Sequence, residues 1–115
     1  ALAGLGLAAF LLVHVGAVLA GRALFGLDTN FHFAAAGLHV SPWVWFFLPY
    51  YAGAVVALFV HVGCALQRRA GAGKRVIGVA AATGMATATV IVGCMTGVLI
   101  PVSIPAVYLA TYGVR

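Results

Sequence analysis

The chain has 115 residues, 65% of them hydrophobic and 6% charged, with six basic residues against a single acid. An ordinary soluble domain carries about 25% charged residues, whereas here the mean hydropathy is +1.20, so the composition excludes a soluble enzyme and points to a bilayer. At about 20 residues per crossing the length suffices for three spanning helices and short connections, which predicts one all-α membrane domain with no room for a soluble catalytic module.

The first span is predicted over residues 2–24, apolar throughout until Arg22. Its small residues Gly4, Gly6, Ala9, Gly16, Ala20 and Gly21 would let neighbouring helices approach closely. The run is long and lacks a basic leader, unlike a signal peptide. Residues 25–41 hold Asp28, Thr29, Asn30, His32 and His39 between Gly26 and Gly37, which suits a loop with a short surface helix.

The second span is predicted over residues 42–67. Ser41-Pro42 reads as a cap and first-turn pair, and Trp43 and Trp45 as an interfacial anchor. Pro49 is expected to kink or loosen the helix. A flexible turn at residues 70–73 leads to a third span over residues 74–100. Gly93 and Gly97 stand there in small-xxx-small spacing. The hydroxyls of Thr83, Thr87, Thr89 and Thr96 are expected to bond back to the backbone or across to a neighbour. Pro101 and Pro105 end the span, and residues 107–115, with Tyr108 and Tyr112, read as an interfacial tail.

Arg68, Arg69, Lys74 and Arg75 cluster between the second and third spans. Positive charge marks the cytoplasmic side, so the N-terminus is expected inside, with the 25–41 loop and the C-terminus outside. The cluster reads as a topology signal and a contact for anionic lipid, not as a nucleic-acid interface. Cys64 and Cys94 lie in different spans without CxxC spacing, so they read as buried small apolar side chains rather than a metal site or disulfide.

The chemistry sits in two near-copies of one phrase, Leu12-Val13-His14-Val15-Gly16 and Phe59-Val60-His61-Val62-Gly63. An ionisable side chain in lipid costs roughly 2 kcal/mol or more and marks a function by default, and imidazole is a common axial ligand of haem iron. The bland alternative for each is a neutral histidine hydrogen-bonded to a neighbouring helix. The glycines at 16 and 63 are expected to leave room for a flat macrocycle.

Helical rise places His61 about 10 Å below the inner boundary and His14 about 12 Å from the outer one. In a core of about 30 Å their depths then differ by about 8 Å. Ligands of one iron need nearly equal depth, so the two histidines serve two haems or only one of them is a ligand. The missing ligand then comes from another chain. Arg68 and Arg69 stand where haem propionates on His61 would meet guanidinium groups. His32 and His39 read as loop histidines, with proton exchange or a quinone headgroup contact as the functional alternative.

The stretch His61-Val62-Gly63-Cys64-Ala65-Leu66-Gln67-Arg68, followed by Gly73-Lys74-Arg75 and another apolar helix, resembles the membrane-anchor cytochrome b subunits of succinate dehydrogenase and fumarate reductase. Leu5-Gly6-Leu7-Ala8-Ala9-Phe10-Leu11-Leu12-Val13-His14 is similar to the first helix of the diheme members. The resemblance implies His61 as a ligand of a haem b near the cytoplasm and His14 as a ligand of a second, outer haem. It also implies quinone as electron acceptor or donor, flavoprotein and iron–sulfur subunits on the cytoplasmic side, and a bacterial inner-membrane location. Diheme members have five spans in one chain, so a second anchor chain is expected here. The carboxylic-acid chemistry would belong to the partner subunits.

Two other functions compete. Histidine in an apolar span also ligates chlorophyll magnesium, so a pigment-binding subunit of a photosynthetic complex is one alternative. A haem-free structural subunit is the other. A proton-coupled transporter is disfavoured because no carboxylate lies in the spans.

Overall fold

The computed structural model describes residues 1–114. Three long helices dominate: α1 (Leu2–Phe25), α3 (Val44–Arg69) and α4 (Arg75–Met95). At 1.5 Å per residue they run about 36, 39 and 32 Å, each enough for a hydrocarbon core of about 30 Å. Their apolar content makes all three capable of crossing a membrane. The molecule is therefore an all-α bundle with three candidate spans.

α3 is the central helix and packs most extensively on α4, less on α1. Small residues set the α3–α4 approach. Gly63 is so close to α4 that a Cβ there would stand 2.7 Å from Ala80 Cβ, and one at Gly84 would meet Phe59 Cβ and Val56 Cα at 3.0 and 3.1 Å. Gly63 thus serves helix packing rather than space beside His61, and Gly16 faces open space. The Gly93/Gly97 pair does not form a helix seam. α4 ends at Met95, Gly97 takes a left-handed φ of 82°, and Leu99 folds back so that its side chain covers Gly93. The Leu99 amide donates to the Gly93 carbonyl at 3.0 Å. Val98, Leu99 and Ile100 are apolar yet outside the helix, because a left-handed residue cannot continue a right-handed helix.

The second span likewise starts later than the Ser41-Pro42 pair suggests, with Trp43 at the N-cap position and no side-chain cap. α3 then continues through Pro49 to Arg69 without a break. Thr83, Thr89 and Thr96 donate to the carbonyls of Val79, Met85 and Val92, four residues back.

Most of the buried core lies at one end of the bundle. Two short helices, α2 (Phe31–Ala36) and α5 (Ala106–Ala110), and a 3-10 turn (Gly37–His39) form a cap over one end of the bundle. Asn30 caps α2, its side-chain oxygen accepting from the amides of His32 and Phe33. Leu27, Ala36 and Tyr108 form one buried cluster, and Ala35, Leu38 and Met95 a second. Outside the cap few residues of the span helices are buried, among them Gly63, Gly84 and Ala88. Large apolar side chains such as Leu12, Leu19 and Val79 stand exposed, as expected of surfaces that face lipid or other helices. The cap gathers the 25–41 loop and the C-terminal tail at one end. The N-terminus and the basic turn share the other.

Candidate functional site

His61, Cys64, Ala65 and Arg68 occupy positions i, i+3, i+4 and i+7 of α3, which puts them on one helix face. With Val60 and Arg69 from α3 and Ala1, Leu2 and Ala3 from the start of α1, they line a recess of about 550 Å³. Sites for organic ligands span about 300–1,000 Å³, so the recess has the volume for a cofactor. Its walls are apolar apart from the imidazole and thiol, with two guanidiniums at the end beside the basic turn. The structure thus brings three of the four sequence-predicted site residues, His61, Arg68 and Arg69, to one cavity.

Gly4 of α1 faces the His61 ring, and a Cβ there would lie 3.4 Å from Cε1 and 3.5 Å from Nδ1. Nε2 is the farther nitrogen. Among the described residues the His39 ring is hydrogen-bonded, whereas neither nitrogen of His61 has a partner there. An exposed imidazole without a partner at membrane depth is costly and suits a metal ligand or a contact with another chain. A haem b fits the donor set here: an imidazole, apolar walls, and two guanidiniums for its carboxylates.

His14 stands apart. It lies ten residues beyond Gly4 on α1, about 15 Å along the axis. The inward lean of its side chain brings the two imidazoles to roughly 10–15 Å in depth. The gap exceeds the 8 Å expected from the positions of Arg22 and Arg68 in a core of about 30 Å. No single iron can bind both.

The surroundings of His14 also differ. Its ring stacks on Phe10 with centroids 5.2 Å apart and planes within 13°. It lines a chamber of about 110 Å³ with Val13, Ala17, Phe33, Ala34, Phe46, Phe47, Tyr50, Tyr51 and Tyr112. That volume is well below the range of about 300 Å³ upward for organic ligands, so a porphyrin does not fit there. Tyr50 donates to the Phe10 carbonyl at 3.4 Å and Tyr51 to the Ala34 carbonyl at 2.9 Å. Burial pushes the Tyr112 hydroxyl above its ordinary pKa.

The loop histidines have structural surroundings. His39 Nε2 donates to the carbonyl of Met95 at 2.8 Å, satisfying one of the free acceptors at the C-terminus of α4. His32 stacks on Tyr108 with centroids 6.3 Å apart, and its Nδ1 is buried without a hydrogen-bond partner among the described residues. Cys64 and Cys94 are free and half-buried, so the expectation of full burial fails. Cys64 instead belongs to the His61 recess, a placement that its i+3 spacing from His61 already contains. Among the described residues no three His, Cys, Asp or Glu side chains converge as a metal cluster. A single imidazole from this chain would be enough to help hold a haem.

Comparison with family models, with curated proteins and with solved structures yields no match for this chain.

Proposed function

We propose that this chain is a haem b-binding membrane-anchor subunit of a succinate:quinone oxidoreductase-type complex, seated in a bacterial inner membrane. The observation that carries the reading is the shared recess of His61, Arg68 and Arg69 at the end of the bundle where the basic turn lies. His61 would supply a ligating nitrogen. Arg68 and Arg69 would pair with propionate carboxylates, for which a planar guanidinium suits better than an ammonium. Gly4 faces the Cε1–Nδ1 edge of the imidazole and leaves that side of the ring uncrowded.

A haem b held there would supply one-electron transfer between an iron–sulfur partner and quinone. A further protein ligand to the haem would come from a partner membrane chain, because His14 lies too far along α1 and His32 and His39 sit in the cap. Arg68, Arg69, Lys74 and Arg75 would place positive charge toward flavoprotein and iron–sulfur subunits docked on the cytoplasmic side. Positive charge beside a haem favours its reduced form and raises its potential.

The test is purification of the intact complex in mild detergent with this chain tagged. The reading expects co-purifying flavin, iron–sulfur clusters and a b-type spectrum, with at least one haem per flavin. A chlorophyll-type spectrum, or a pigment-free assembly without flavin, would contradict it.

A further inference from the structure

We propose that the aromatic chamber beside His14 is a water site, which opens this intramembrane imidazole to proton exchange with the outer cap. The inference is independent of the haem assigned to His61.

Two conditions decide whether a cavity holds water: room for it and two to four polar partners. The chamber offers about 110 Å³, and at about 30 Å³ per molecule that is room for about three to four waters. Residues that carry polar groups line it from three elements. α1 supplies the His14 ring, whose nitrogens make no hydrogen bond among the described residues. α3 supplies the Tyr50 and Tyr51 hydroxyls, which donate to carbonyls and keep lone pairs free to accept. The C-terminal tail supplies Tyr112. These tyrosines are the titratable groups on the chamber wall beside His14, and no charged side chain is among the lining residues.

The geometry gives the chamber a direction. Phe33 and Ala34 of α2 and Tyr112 of the tail form its wall on the cap side, so it reaches from a span residue to the cap. The Phe10 ring stacked on His14 covers one face of the imidazole and leaves the ring edge for hydrogen bonding. An imidazole bonded to water is satisfied without a second helix, which removes the cost of carrying it in the span.

The test uses the full chain, labelled with 15N-histidine, in lipid nanodiscs. Transfer of magnetisation from water to imidazole nitrogen is measured, and the His14 signal is assigned by its loss in His14→Gln. A strong water-to-His14 signal is expected. It should fall at least fivefold in Ala17→Leu and in Ala34→Leu, two independent ways of filling the chamber, with the helical circular dichroism unchanged. Tyr112→Phe should weaken it without abolishing it. Absence of the signal in the wild-type chain would overturn the proposal. So would loss of a haem band in His14→Gln with the His61 band retained, since His14 would then be a ligand.

Discussion

Substituting Gly63 by alanine tests how tightly the bundle is held at its centre and how that packing supports the site. The added Cβ would stand 2.7 Å from Ala80 Cβ, whereas unstrained carbon atoms meet at about 3.5–4.0 Å. α3 and α4 must therefore separate by about 1 Å at this level, or the backbone must shift. Both partners are short and held on helix backbone, so neither can rotate away. Overpacking of this kind costs about 1–3 kcal/mol. Gly78 of α4 is the control, since a Cβ there meets nothing within 4 Å. Gly78→Ala should be neutral or slightly stabilising, because alanine is the better helix former by about 1 kcal/mol. Reversible unfolding in mixed micelles, followed by helical circular dichroism, measures both variants. Gly63 lies two residues beyond His61, so Gly63→Ala should also weaken whatever the recess binds. Equal stability of the two variants would refute the close α3–α4 seam and the fixed position it assigns to His61.

Three further outcomes follow from the cap and the topology. His39→Ala removes the bond to the Met95 carbonyl and should cost about 1 kcal/mol in the same unfolding assay; an unchanged midpoint would show that the contact contributes nothing. His32→Phe keeps a ring against Tyr108 and removes the unpartnered Nδ1, so stability should stay level or rise by up to about 2 kcal/mol, while a marked loss would show a hidden partner for that nitrogen. Cysteines at Gly73 and Ser103 lie at opposite ends of the bundle, at the basic turn and before α5. In intact cells Ser103→Cys should react with a membrane-impermeant thiol reagent and Gly73→Cys should resist it. The reverse pattern would invert the orientation and the side on which soluble partners dock.

The three spans are legible in the sequence because bilayer thickness demands about 20 apolar residues in a row, and each long run here meets that demand. Their ends are less legible. Val98, Leu99 and Ile100 continue the apolar run, but the left-handed turn at Gly97 takes them out of the helix, and hydropathy carries no record of φ. The cap was readable only as a loop with a short helix. Its stability comes from contacts among Leu27, Ala36 and Tyr108, which are distant in sequence and leave no periodic signal. Of the site, the grouping of His61 with Arg68 follows from helical spacing alone. The approach of Gly4 to the His61 ring does not, because it depends on how α1 crosses α3. The chamber around His14 was hidden for the same reason: its walls come from α1, α2, α3 and the tail.

The central claim is that His61 holds a haem in the recess it shares with Arg68 and Arg69. Reduced-minus-oxidised spectra of the purified complex, wild type against His61→Ala and His14→Ala, test it most directly. The account predicts that His61→Ala loses or strongly shifts a b-type band while the complex still assembles, and that His14→Ala leaves that band in place. An assembled His61→Ala complex with an unchanged spectrum and haem content would contradict it.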